Sequence, residues 1–168
     1  MQDVPTKLKK YQVYIDGKWC DAASGKTFET IDPYTGEPWA LIPECDAVDV
    51  DRACEAASRA FESGPWPRMT QTERGRLLRK IAGLIEKHGE YLAQIEVKDN
   101  GKLISEMAAQ LKYLPEWYYY YGGLADKITG MVVPVDKPDH FTYTLREPVG
   151  VCALIIPWNS PLLLVGFK

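Results

Sequence analysis

The spacing of apolar residues changes along this chain, from alternation to helical periodicity and back. Residues 11–43 are rich in aromatic and β-branched types between turn formers, which predicts strands. Tyr11 to Ile15 alternates loosely and meets Asp16-Gly17, a hairpin signal. Thr27 to Ile31 reads as a second strand, closed by Asp32-Pro-Tyr-Thr-Gly36, and Trp39 to Ile42 as a third. After Cys45 the spacing turns helical. Asp46 is placed as an N-cap, with Val50, Ala53, Ala57, Ala60 and Phe61 on one face. Gly64-Pro-Trp-Pro67 ends that helix, and Thr70-x-x-Glu73 has capping-box form. A stripe of Leu77, Leu78, Ile81, Leu84 and Ile85 follows, which Gly89 is expected to stop. A third helix, about Glu90 to Asp99, ends at Asn100-Gly101, a left-handed stop. A fourth runs from near Ser105 to about Tyr121, with Pro115 expected to kink or divide it. The stripes read as core faces. Tyr118 to Tyr121 point around a helix axis and so make no flat stacking platform.

From Gly130 the pattern is β again, and His140 to Leu145 alternates as a half-solvated strand does. Val151 to Ile156 differs: six apolar residues in a row, three of them β-branched. That is the pattern of a strand buried on both faces, as in a parallel sheet covered by helices. Pro157 stops the ladder, since it has no N–H to donate. Trp158 and Asn159 then fall at the carboxyl end of the strand, where open α/β sheets bind ligands. Ser160 as N-cap and Pro161 at the first helical position open another helix. Taken alone, an Asn at such a turn caps backbone groups.

Composition narrows the function classes. At 168 residues, 46% hydrophobic and 26% charged, the chain is expected to be globular. A net charge of −3 without a long basic run argues against nucleic acid and anionic membranes as partners. The polar start, Met1 to Lys10, lacks the apolar segment of a secretory signal, and no stretch is long enough to span a bilayer. Cys20, Cys45, Cys54 and Cys152 show no Cys-x-x-Cys spacing and read as free thiols of a reducing cytoplasm. Cys152, inside the apolar run, is expected to be an inert packing residue.

Several motifs in order carry a resemblance that covers the chain from about Tyr14. They are Phe28-Glu-Thr-Ile-Asp-Pro, Glu73-Arg-Gly-Arg-Leu-Leu, Asp99-Asn-Gly-Lys102, Tyr120-Tyr-Gly-Gly-Leu-Ala-Asp-Lys127 and Pro148-Val-Gly-Val-Cys with Ile155-Ile-Pro-Trp-Asn159. Together these resemble the NAD(P)-dependent aldehyde dehydrogenases. The resemblance implies an α/β fold: amino-terminal β-hairpins and helices (1–129), an oligomerisation β-arm (130–150), and the first strand of a Rossmann-type parallel sheet (151–168). It implies oxidation of a small-molecule aldehyde to an acid through a cysteine thioester, with NAD or NADP as cofactor. It also implies a homodimer or homotetramer.

The same resemblance assigns residues. Asn159 matches the amide donor to the oxyanion, a role that needs an N–H donor which does not titrate. Ile155, Ile156, Pro157 and Trp158 match positions beside the cofactor's adenosine and ribose, although isoleucines there also suit sheet core. Tyr113, Ser160, Leu164 and Phe167 match the aldehyde tunnel. Ser160 replaces a bulky aromatic common in the family, and a helix cap is its alternative role. Thr30, Ile31 and Asp99 match a monovalent-cation site, since hard cations favour oxygen clusters. The family's nucleophilic cysteine, general-base glutamate and phosphate-binding glycines match nothing up to Lys168. The sequence therefore reads as the amino-terminal third of such an enzyme, not expected to catalyse by itself. The alternative is a truncated, non-catalytic relative acting as an oligomerisation or regulatory module.

Overall fold

A computed structural model describes residues 8–168; of the polar start read as no secretory signal, residues 1–7 lie outside the described residues. Asp16 and Gly17 take positive φ, 53° and 75°, which gives a hairpin turn its matching twist. Val13–Ile15 (β2) thus pairs antiparallel with Lys18–Cys20 (β3). Thr27–Ile31 (β4) pairs antiparallel with Pro38–Pro43 (β5), as their β-branched and aromatic content predicts. Lys9–Lys10 (β1) adds in parallel to the other side of β5, giving the order β1-β5-β4. Two lysines carry no strand pattern, so β1 was not legible in the sequence.

Helix α1, Ala47–Ser63, starts where expected: Asp46 accepts from the Val48 N–H at 2.9 Å, and Asp49 completes a capping box. Its inward face, however, is not the predicted one. Asp49 and Ala56 are buried, whereas Val50 and Phe61 are 58% and 39% exposed. Asp49 turns inward because its carboxylate accepts the Ala23 N–H at 2.9 Å and the Arg52 guanidinium at 3.1 Å, which ties α1 to the loop after β3.

The two helices expected on either side of Gly89 are one. Helix α2 runs Gln71–Asn100 without a break and ends in Gly101 at φ 74°. An interior glycine costs only about 1 kcal/mol. Gly89 faces Leu111 of the next helix, whose Cβ lies 3.9 Å from where a Cβ on residue 89 would stand, an ordinary packing distance. Helix α3, Ile104–Leu124, likewise passes through Pro115 undivided, with Leu114 and Pro115 fully buried. Packing there outweighs the ladder bond that proline removes. Gly75 against Gly122 and Gly89 against Leu111 make α2 and α3 an antiparallel pair. The core is Ala93, Met107, Leu111 and Leu114, with Ile85, Leu92, Val97 and Tyr118 around it. Of the predicted α2 stripe, Leu77, Ile81 and Leu84 are exposed, because α3 covers the Gly75, Ala82, Ala93 face instead.

Beyond α3, Val132–Val133 (β6) pairs antiparallel with Thr142–Tyr143 (β7), a shorter strand than the His140 to Leu145 expected. Val151 to Ile156 forms no strand, which corrects the buried-sheet expectation. A parallel strand needs ladder partners at its edges, and the described residues pair none with it. Val151, Leu154 and Ile155 are therefore 46%, 52% and 83% exposed. Cys152 is exposed with them rather than packed inside a sheet. Among the described residues no helix is long and apolar enough to cross a membrane.

Two measurements check this account. A Cβ on Gly75 would run into the Gly122 carbonyl oxygen, whereas Gly123 has open space. Gly75→Ala is expected to destabilise by about 1–3 kcal/mol, and Gly123→Ala to stabilise by about 0.5–1 kcal/mol. Denaturant melts giving both variants the same sign would refute the close approach. The α2 capping box sets a pH dependence. Glu73 accepts the Thr70 N–H at 2.8 Å and the Thr70 hydroxyl at 3.0 Å, which holds its carboxyl below the ordinary value of 4.5. A lowered folded pKa stabilises above the unfolded value and is lost as pH falls through the folded one. The melting temperature of the parent should therefore exceed that of Glu73→Ala at neutral pH, and the gap should close only below pH 4.5.

Candidate active site

The site begins at the far end of α2. Chain polarity brings Glu96, Asn100 and Lys102 beside the turn at 158–160, which leads into α4, Pro161–Phe167. Leu162 and Leu163 of α4 pack on the core, and Gly166 is small because a Cβ there would run into the Leu114 side chain. With Pro161 at the first position, Leu162 offers the first free amide of α4. Glu96 Oε1 accepts that amide at 2.8 Å. Glu96 is 3% exposed, and burial pushes its carboxyl above the ordinary range, against the opposing pull of the Leu162 N–H and Lys102.

Ser160 occupies the N-cap position, yet its hydroxyl makes no cap bond. It donates to the Asn159 carbonyl at 2.7 Å and accepts from Lys102 Nζ at 3.3 Å, with the residue 5% exposed. Asn100 Nδ2 donates to the same Asn159 carbonyl at 3.5 Å, while its Oδ1 accepts the Lys102 N–H at 2.9 Å. Asn159 is thus held by its backbone. Its side chain is exposed and takes no hydrogen bond among the described residues. The strip before it is apolar and open: Ile156 is half-buried, Pro157 exposed, and Ile155 and Trp158 are 83% and 73% exposed.

Aromatic side chains gather where α3 meets α4. Trp117 lies edge-on to Tyr113 at 6.1 Å between ring centroids and against Phe167 at 4.7 Å. Tyr113 and Phe167, far apart in sequence, are brought together through it, and Leu164 sits half-buried on the same short helix. Trp117 was missed by sequence reasoning, although its position four residues after Tyr113 puts both on one helix face. A cavity of about 570 Å³ opens along this wall, lined by Tyr113, Glu116, Trp117, Tyr120 and Tyr121. Thr30 and Asp99 also meet: the Thr30 hydroxyl donates to Asp99 Oδ1 at 2.7 Å, and Ile31 beside it is 45% exposed. No cluster of three or more His, Cys, Asp or Glu suited to a metal occurs among the described residues.

Chemically, this is an exposed neutral amide on a turn fixed from beneath, with an apolar strip before it and an aromatic wall after it. Such an amide donates to negative charge without titrating. Known proteins share much of the sequence and the fold. The curated relatives include a (Z)-2-((N-methylformamido)methylene)-5-hydroxybutyrolactone dehydrogenase of Acinetobacter baylyi, 48% identical over 161 residues, 96% of this chain and 33% of the relative. The human mitochondrial aldehyde dehydrogenase is 47% identical over 159 residues, 94% of this chain and 31% of the relative. An aldehyde dehydrogenase of Bacillus cereus, solved as its NAD+ complex, superposes with a TM-score of 0.90 at 43% identity, over 95% of this chain and 32% of that one. The chain spans about a third of the length of the curated relatives it matches. With residues 19–168 also matching the pattern described as the aldehyde dehydrogenase family, and with that family's fold in the superposed structure, the chain belongs to the aldehyde dehydrogenases.

Proposed function

We propose that this chain is the part of an NAD(P)-dependent aldehyde dehydrogenase that supplies the oxyanion donor, part of the cofactor floor and part of the subunit interface. The observation that carries the reading is Asn159: an exposed amide without a hydrogen bond among the described residues, on a turn whose backbone is tied down. When a nucleophile adds to an aldehyde, the carbonyl oxygen gains negative charge. Asn159 donates its N–H to that oxygen and lowers the barrier, because the donor is aimed before the charge develops.

Bound NAD+ or NADP+ supplies the hydride acceptor in such an oxidation. The open apolar strip of Ile155, Ile156, Pro157 and Trp158 fits the adenosine and ribose half of that cofactor, since ring and sugar faces bury apolar area against it. Tyr113, Leu164 and Phe167, with Trp117 between the first and last, would line the path of the aldehyde, whereas Ser160 is buried beneath the turn and would not reach it. A monovalent cation among Thr30, Ile31 and Asp99 belongs to the same reading, supported by the carboxylate and hydroxyl that meet there. Four free cysteines suit a reducing compartment such as the cytoplasm, while the human and plant relatives are mitochondrial by name.

The β6–β7 ribbon stands with both strands exposed, and a two-stranded ribbon alone is marginal in water. It is proposed to pair with another subunit in a homodimer or homotetramer. Light scattering of the full-length enzyme should then give a mass of two or four subunits; a single monomer peak would remove the ribbon's assembly role. For the chemistry, Asn159→Ala in the full-length enzyme is expected to lower kcat by about 10²–10³ and leave cofactor affinity nearly unchanged. Aldehyde-dependent formation of reduced nicotinamide at the parent rate would sink the oxyanion assignment.

A further inference from the structure

A donor that must meet charge only in the transition state has to be placed closely, and a misplacement of about 1 Å can cost up to about 10²-fold. Asn159 sits on a turn, outside any helix or strand. Its placement therefore comes from whatever grips that turn.

We propose that Glu96 is a positioning residue for Asn159, its buried carboxyl gripping the first turn of α4 through the Leu162 N–H. The catalytic consequence rests on the function proposed above; the grip itself does not.

Helix α4 has an unusual need at its start. Pro161 has no N–H, and the Ser160 hydroxyl points to the Asn159 carbonyl and Lys102 instead of capping. Glu96, reaching across from α2, supplies the acceptor that a cap residue would. The carboxyl is costly where it stands. It stands one turn from the buried Ala93 of the core, where an apolar side chain would be the ordinary choice, with Asn100 the other buried polar group of that face. Lys102 does not pair with it, since its Nζ lies 3.3 Å from Ser160 Oγ and 3.7 Å from Glu106. Glu96 Oε2 has no hydrogen-bond partner among the described residues, which leaves the bond to Leu162 as the carboxyl's one hydrogen bond there, beside the longer-range pull of Lys102. With Asn100 Nδ2 on the Asn159 carbonyl, the end of α2 holds the backbone on both sides of Ser160. Asn159 carries the first of those ties and Leu162 the second, so loss of the Glu96 bond frees the turn on its α4 side.

The test is a mutant cycle in the full-length enzyme. Glu96→Ala should lower kcat about tenfold to 10²-fold with cofactor KM little changed. Glu96→Gln keeps an acceptor oxygen at the same place and should restore most of the rate. In the Asn159→Ala background, Glu96→Ala should add less than about twofold, because groups acting as a unit are not additive. A general structural defect would instead multiply with the Asn159 loss. If Glu96→Ala does not fold, Glu96→Leu fills the volume without an acceptor and takes its place in the cycle. An unchanged kcat, or fully multiplicative losses, would overturn the positioning role. Should the parent enzyme form no reduced nicotinamide with any aldehyde, the proposed function fails, and exchange of the Leu162 amide still decides the grip. Faster exchange in Glu96→Ala than in Glu96→Gln supports it, and equal protection in both overturns it.

Discussion

Gly75 and Gly122 let α2 and α3 meet with backbone against backbone, and the placement of the site follows from that approach. With no Cβ on either side, Arg79 can also donate to the Gly122 carbonyl at 3.0 Å, which locks the open end of the pair. From there the two helices run together to the short connection at Gly101–Leu103, burying Met107, Leu111 and Leu114. Each such side chain is worth about 1.5–3 kcal/mol when removed from water. The same packing fixes where residue 96 and residue 100 stand relative to the end of the chain.

Polar groups concentrate at the closed end of that pair. Glu96, Asp99, Asn100 and Lys102 all lie within a few residues of the α2 terminus, and Thr30 reaches Asp99 there from β4. Buried polar groups are costly unless bonded, so their clustering marks a place where geometry, not only burial, is specified. The sheet is joined to this end as well: a Cβ on Gly101 would stand 3.1 Å from the Pro33 ring, just beyond β4. Sheet, helix pair and the Asn159 turn therefore share one anchoring point. By contrast, the strip before Asn159 and the β6–β7 ribbon are apolar and open.

Much of the local structure was legible from residues alone, because its causes are local. Asp46, Thr70 with Glu73, Asp16-Gly17 and Gly101 each impose or cap a conformation within a few residues, and each stands where the sequence placed it. The ordered family motifs, read as a whole, pointed to the fold and the family that the superposed structures bear out. The pairing of Thr30 with Asp99 and the gathering of Tyr113 with Phe167 were implied by that resemblance and by no local pattern.

What tertiary structure decided is whatever depends on a distant partner. Gly89 and Pro115 are helix breakers by propensity, yet both sit inside unbroken helices because the α2–α3 contact outweighs a cost of about 1 kcal/mol for the glycine. The inward face of α1 was set by the bond from Ala23 to Asp49, which no hydrophobic stripe encodes. Val151 to Ile156 has the composition of a sheet core but no ladder, since a strand exists only with a neighbour to bond it. Capping and turn chemistry belong to the sequence by itself. Which face turns inward, which breaker is tolerated and which acid grips the Asn159 turn depend on contacts between residues far apart in the chain.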